Sequence, residues 1–176
     1  MSGTEGKVAG TILISLREYS RKKWGVAGYE DMKNVLDYEI DKIAPERIYP
    51  ISHAGQILEH VQRKKGNDEL VRMGVFTVQN IGAKRYFALL LPVKSLVEKI
   101  KDTIDKISSS IEMDIRDGHN SVTVTMQSPH YNDVQAHFWK GMYQGVLQMA
   151  HKKGKVDMDT SGLKDDHRVI YMISWD

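Results

Sequence analysis

The sequence predicts an α+β fold: N-terminal helices packed on a four-stranded antiparallel sheet, with ββαββ order in the C-terminal third. Three observations predict it. Apolar residues recur at spacings of three and four through the first hundred positions. After residue 110 they alternate singly with polar ones in four segments, and between about Tyr131 and His151 helical spacing returns. A strand turns successive side chains to opposite faces, whereas a helix brings the same face round every 3.6 residues, so the two periods separate the two structures.

The elements follow in order. Met1-Ser2-Gly3-Thr4-Glu5-Gly6 is small and polar and is expected to be a loose, disordered terminus of one domain spanning 1–176. Ile12, Leu13, Leu16 and Tyr19 make a first helix, with Arg21-Lys22-Lys23 placing cations where a helix C-terminus favours them. Gly25 and Gly28 punctuate, and a second helix is expected from about Glu30 through Met32, Val35, Leu36, Ile40 and Ile43 to Pro45. Ile48-Tyr49-Pro50-Ile51 reads as extended, because the residue before proline avoids the helical region. Ser52 is the expected N-cap of a helix carrying Ile57, Leu58 and Val61. Lys64-Lys65-Gly66-Asn67-Asp68 closes it and opens the next, with Leu70, Val71, Gly74, Val75, Val78 and Ile81. Phe87 to Leu91 is continuous and apolar, too short to assign by period. Pro92 opens a helix with Val93, Leu96, Val97, Ile100, Ile104 and Ile107. Strands follow at Ile111/Met113/Ile115 and Val122/Val124/Met126, joined by the turn signal Asp117-Gly118-His119-Asn120. Beyond the long helix, Val156/Met158 and Val169/Tyr171/Ile173/Trp175 complete the sheet.

Composition narrows function by exclusion. Lys+Arg 25 against Asp+Glu 23 leaves a net charge of +2, too balanced for a nucleic-acid-binding face, and no nucleic acid is expected. No apolar run approaches the ~20 residues of a membrane span and no leader is evident, so a cytoplasmic protein is expected. With no cysteine there is no disulfide, thiolate nucleophile or sulfur-ligated metal. The seven histidines include His130/His137 and His53/His60, each seven apart; neither pair has the i, i+4 spacing of a zinc helix, and no metal is expected. No catalytic motif is present, and Asp165-Asp166-His167-Arg168 reads as a solvated turn, so no enzyme is expected.

The long helix carries the candidate site. Val134, Phe138, Gly141, Gly145 and Met149 share a face, and glycine inside a helix costs ~0.8–1 kcal/mol against alanine. Close packing on the sheet, a ligand slot and a subunit contact would each explain the two glycines. The candidate ligand-binding residues are Phe138, Trp139, Gly141, Met142 and Gly145, with Trp24 and Tyr49 as polar handles should the aromatic residues converge.

Several stretches resemble a known pattern. Lys7-Val8-Ala9-Gly10-Thr11-Ile12 running to Gly25, then Tyr49-Pro50, Met73-Gly74, the Gly141/Gly145 helix, Asp166-His167-Arg168-Val169 and Ile173-Ser174-Trp175 resemble an uncharacterised bacterial family best known from myxobacterial paralogues. That family is similar to haem-nitric-oxide-binding and vinyl-reductase-type sensor domains, whose fold is shared with TRAPP tethering subunits. The resemblance implies a homodimeric module that binds a small molecule or docks a protein, in signalling. It also argues against haem. The haem-binding members use a proximal His and a Tyr-x-Ser-x-Arg signature, which Tyr49-Pro50-Ile51-Ser52-His53 echoes without the Arg; the clustered cysteines of the vinyl-reductase type are missing. The expected function is a non-enzymatic sensor domain holding an apolar or amphipathic molecule between helices and sheet. A scaffold module with a solid core, docking a protein partner, is the alternative.

Overall fold

The computed structural model describes residues 6–83, 91–108 and 110–176. Strand β1 (Lys7–Ala9) pairs antiparallel with β2 (Ile48–Pro50), and helices α1 (Gly10–Lys33), α2 (Ile51–Lys65), α3 (Asn67–Ala83) and α4 (Val93–Ile107) form the helical part. Strands β3 (Glu112–Gly118) and β4 (Ser121–Gln127) lead into α5 (Asp133–Met149), then β5 (Gly154–Asp159) and β6 (Arg168–Trp175). The four C-terminal strands make one antiparallel sheet in the order β3-β4-β6-β5. The expected α+β architecture and ββαββ order are therefore both present.

The sheet's period-2 pattern is satisfied on one face. Met113, Val122, Val124, Met126, Val156, Val169, Tyr171 and Ile173 are buried, and Glu112, Asp114 and Met172 between them are exposed. Helix α5 lies against that buried face on one side and against α3 on the other. Its start is fixed locally: the Asn132 side chain accepts from Gln135 N, and Gln135 Oε1 accepts from Asn132 N, a reciprocal cap. Phenols then tie helix to sheet, with Tyr171 Oη donating to Ala136 O at 2.9 Å and lying 2.7 Å from Tyr131 Oη.

Several sequence expectations shift. The first helix runs on to Lys33, broken only at Gly25, whose φ of 66° is left-handed backbone that glycine adopts without a β-carbon clash. A second helical segment does follow the break at Gly25, but it ends at Lys33 instead of continuing to Pro45; residues 34–39 are turn, bend and irregular backbone, and only a short 3-10 segment covers Ile40–Lys42. Tertiary contact explains this, since Ile40 is fully buried while Val35 is exposed, so the stripe is not one face. Helix α2 starts at Ile51 with Pro50 as its cap rather than at Ser52. Gly6, expected to belong to a loose end, is instead buried and accepts a 2.7 Å hydrogen bond from Ile51 N, while residues 1–5 lie outside the described residues. The apolar run Phe87 to Leu91 lies outside the described residues except for Leu91.

Candidate functional site

One cavity of about 220 Å³ opens between the helical part and the end of the sheet. Faces of α2, α4 and α5 build most of its wall, and Val78 and Ile81 of α3 add to it. Helix α2 contributes Ile51, Ala54, Gly55 and Leu58. Helix α4 contributes Leu96, Lys99, Ile100, Thr103, Ile104 and Ile107, and α5 contributes Gln135, Phe138, Trp139, Met142, Val146 and Met149. Each set has the i, i+3, i+4, i+7 spacing of a single helical face, so helical periodicity itself makes the lining. Strand β1 and the first turn of α1 add Lys7, Val8 and Ile12, while Tyr131, Ser128 and His130 close the end nearest β4.

The structure brings together three of the seven candidate residues: Phe138, Trp139 and Met142 stand on the wall. Trp24, Tyr49, Gly141 and Gly145 do not. Gly141 and Gly145 face α3, where a β-carbon would collide with the Val71 carbonyl oxygen and with Val78 Cγ1 respectively. Gly74 of α3 meets the Phe138 carbonyl in the same way, so the glycines are where two helix backbones touch, and the expected approach to the sheet is an approach to α3. The polar handles are engaged by the protein itself. Trp24 Nε1 donates to Glu69 Oε1 at 2.9 Å, and Tyr49 Oη accepts from Ala44 N at 2.8 Å.

Sequence reasoning missed the α2 and α4 walls. Their amphipathic stripes were legible, but periodicity does not say whether a face meets another helix or a void. Gly55 was the available signal: a glycine inside a helix, facing the same side as Ile51 and Leu58, with no described atom beyond its own stretch of α2 backbone within 4 Å of where its β-carbon would sit.

Electrostatically the wall is sparse. Its described residues include Lys7, Lys99 and His130 but no carboxylate and no guanidinium, and all three lie at exposed positions on the rim. Tyr131, Tyr143 and Tyr171 form a buried cluster beneath it, with the Tyr143 and Tyr171 rings 5.0 Å apart. Burial pushes all three phenols above their ordinary range, so they remain neutral. Among the described residues no group of His, Asp and Glu is placed to hold a metal ion.

No family model and no curated protein matches this sequence. Solved structures do. An Fe(II) unliganded H-NOX protein from K. algicida is 15% identical, covering 96% of this chain and 97% of that one with a TM-score of 0.75. An H-NOX protein from S. oneidensis in the Fe(II)NO ligation state is 14% identical, covering 96% and 99%, again at 0.75. The fold is that of H-NOX domains. The sequence resemblance to haem-nitric-oxide-binding sensor domains thus holds at the level of architecture.

Haem needs an axial donor aimed into its pocket, and the described wall supplies a poor one. Its one imidazole, His130, is an exposed rim residue. His53 stacks on Tyr38 at 3.8 Å, and His60 sits 3.2 Å from Asp31, both off the wall. Met142 and Met149 present thioethers, which in haem proteins act beside a histidine. Tyr49, which opens the Tyr49-Pro50-Ile51-Ser52-His53 echo of the haem-binding signature, lies off the wall, and its hydroxyl accepts from Ala44 N. The described residues do not fit a haem site.

Proposed function

We propose that this chain is a non-enzymatic small-molecule-binding domain of a sensor, holding an apolar or amphipathic molecule in the cavity between α2, α4 and α5. The observation that carries the reading is the wall itself: three helices turn apolar faces, and Gly55, onto a shared space instead of onto one another. An apolar pocket with a few polar groups at its margin is the common form of a ligand site. Phe138, Trp139 and Met142 are the proposed contact residues of the long helix. The wall can bind, orient and exclude water; its described residues offer a reacting group no paired acid and base. The fold shared with H-NOX proteins supports a sensor role, and the homodimer implied by the sequence resemblance belongs to the same proposal.

Native mass spectrometry of the purified chain reads ligand and subunit count together. Thermal melting against linear alcohols, sterols and tetrapyrroles then reads affinity, and a true ligand at one hundred times its Kd adds about 2.7 kcal/mol of stability. Met142→Trp, which fills the cavity, is expected to remove the shift. If no compound class shifts the melting temperature, the reading is wrong.

A further inference from the structure

We propose that the cavity takes an amphipathic anion: an unbranched alkyl chain lying along α2 at Gly55, with its oxyanion head held at the rim by Lys7 and Lys99. The inference rests on the reading that the cavity binds a ligand, and it assigns the chemical class.

Gly55 argues for the chain. Glycine inside a helix is unfavourable by about 1 kcal/mol against alanine, so it persists where something else requires it. Gly74, Gly141 and Gly145 are required by the contact of α3 with α5. Gly55 has no such partner, since nothing described beyond its own stretch of α2 backbone lies within 4 Å of the missing β-carbon, and its bare backbone faces the cavity between Ile51 and Leu58. A groove floored by helix backbone and walled by Leu96, Ile100 and Met142 suits a slim aliphatic chain.

Charge argues for the head. Six lysines elsewhere (Lys33, Lys42, Lys64, Lys94, Lys101 and Lys155) lie within ion-pair distance of an Asp or Glu. Lys7 and Lys99, like Lys23, Lys65 and Lys140, lie within ion-pair distance of no Asp or Glu among the described residues; what sets these two apart is that both border the cavity. Their elements adjoin, because α4 packs against β1. Lys7 is in register with Pro50, immediately before the first turn of α2, which has no side-chain cap and no acidic residue. The positive end of that helix adds to the two ammonium groups, and with no carboxylate on the described wall the field favours an anion. A neutral or cationic head would leave the two ammonium groups without a counter-charge.

Titration calorimetry below micellar concentrations separates the possibilities, using dodecanoate, dodecyl phosphate, dodecan-1-ol and dodecylammonium on the full chain. Both anions are expected to bind at least tenfold more tightly than the alcohol, and dodecylammonium more weakly than the alcohol. The ratio of dodecanoate to dodecyl phosphate identifies the preferred oxyanion. In the double variant Lys7→Gln/Lys99→Gln the anion preference should vanish while affinity for dodecanol is unchanged. Gly55→Leu should weaken dodecanoate and dodecanol alike by tenfold or more, with Gly55→Ala giving a smaller loss in a fully folded protein. Equal binding of anion and alcohol by the native chain, or a preference that survives the double variant, overturns the head-group assignment and leaves an apolar ligand site standing. Binding of none of the four, with no response to the wider panel either, overturns both readings.

Discussion

At the scale of single residues, Glu69 shows why a carboxylate is tolerated inside. It is 9% exposed, yet Tyr19 Oη and Trp24 Nε1 each donate to Oε1 at 2.9 Å and Arg72 Nη1 donates to Oε2 at 2.7 Å. Burial alone would push its pKa up; the three donors outweigh burial and hold it below the ordinary value of 4.5. Its contribution to stability is therefore present above about pH 4.5 and is lost as pH falls through the lower, folded value. Glu69→Ala strands the buried Tyr19 hydroxyl and the half-buried Trp24 indole N–H and is expected to cost about 1–3 kcal/mol by chemical denaturation, with a change in Trp24 fluorescence. His60 acts in a different window. Burial holds its imidazole below the ordinary 6.5, and the pull of Asp31 does not restore it. The unfolded chain thus binds the proton first, and stability falls as pH drops below about 6.5. Melting between pH 7 and pH 5 should show this slope, and His60→Gln should flatten it; an unchanged slope would assign it to other groups.

At the scale of elements, two glycines with the same local chemistry are expected to respond oppositely to alanine. Gly141→Ala drives a β-carbon into the Val71 carbonyl, where α3 and α5 touch, and overpacking of this kind costs about 1–3 kcal/mol. Gly55→Ala meets open space and should raise stability by up to about 1 kcal/mol through helix propensity. Paired denaturant titrations decide this, and equal signs would show that the helix faces are misassigned. Sequence reading found α5 and its glycines because spacing and composition are local properties. It directed those glycines at the sheet, since nothing in the spacing names the partner. The second helix expected from Glu30 ends early, at Lys33, for a related reason: the buried Ile40 and exposed Val35 share a stripe only if the chain between them is helical.

At the scale of the whole molecule, the cavity exists because α2, α4 and α5 converge without touching along their full length. A ligand there would link elements far apart in sequence, from Lys7 to Met149, and so bear on the stability of the entire fold. The melting shift proposed for the bound state should accordingly appear as one cooperative transition. What the sequence by itself determined was local: the alternating strands, the chain reversal between β3 and β4 and the amphipathic stripes, all of which are set by short-range periodicity and turn chemistry; the reversal itself falls on His119 and Asn120, with Asp117 and Gly118 paired inside β3. Which stripe meets another helix and which meets a void was decided only in three dimensions. Packing depends on the relative placement of elements joined through distant contacts, and a side chain's period carries no record of the distance to what it faces.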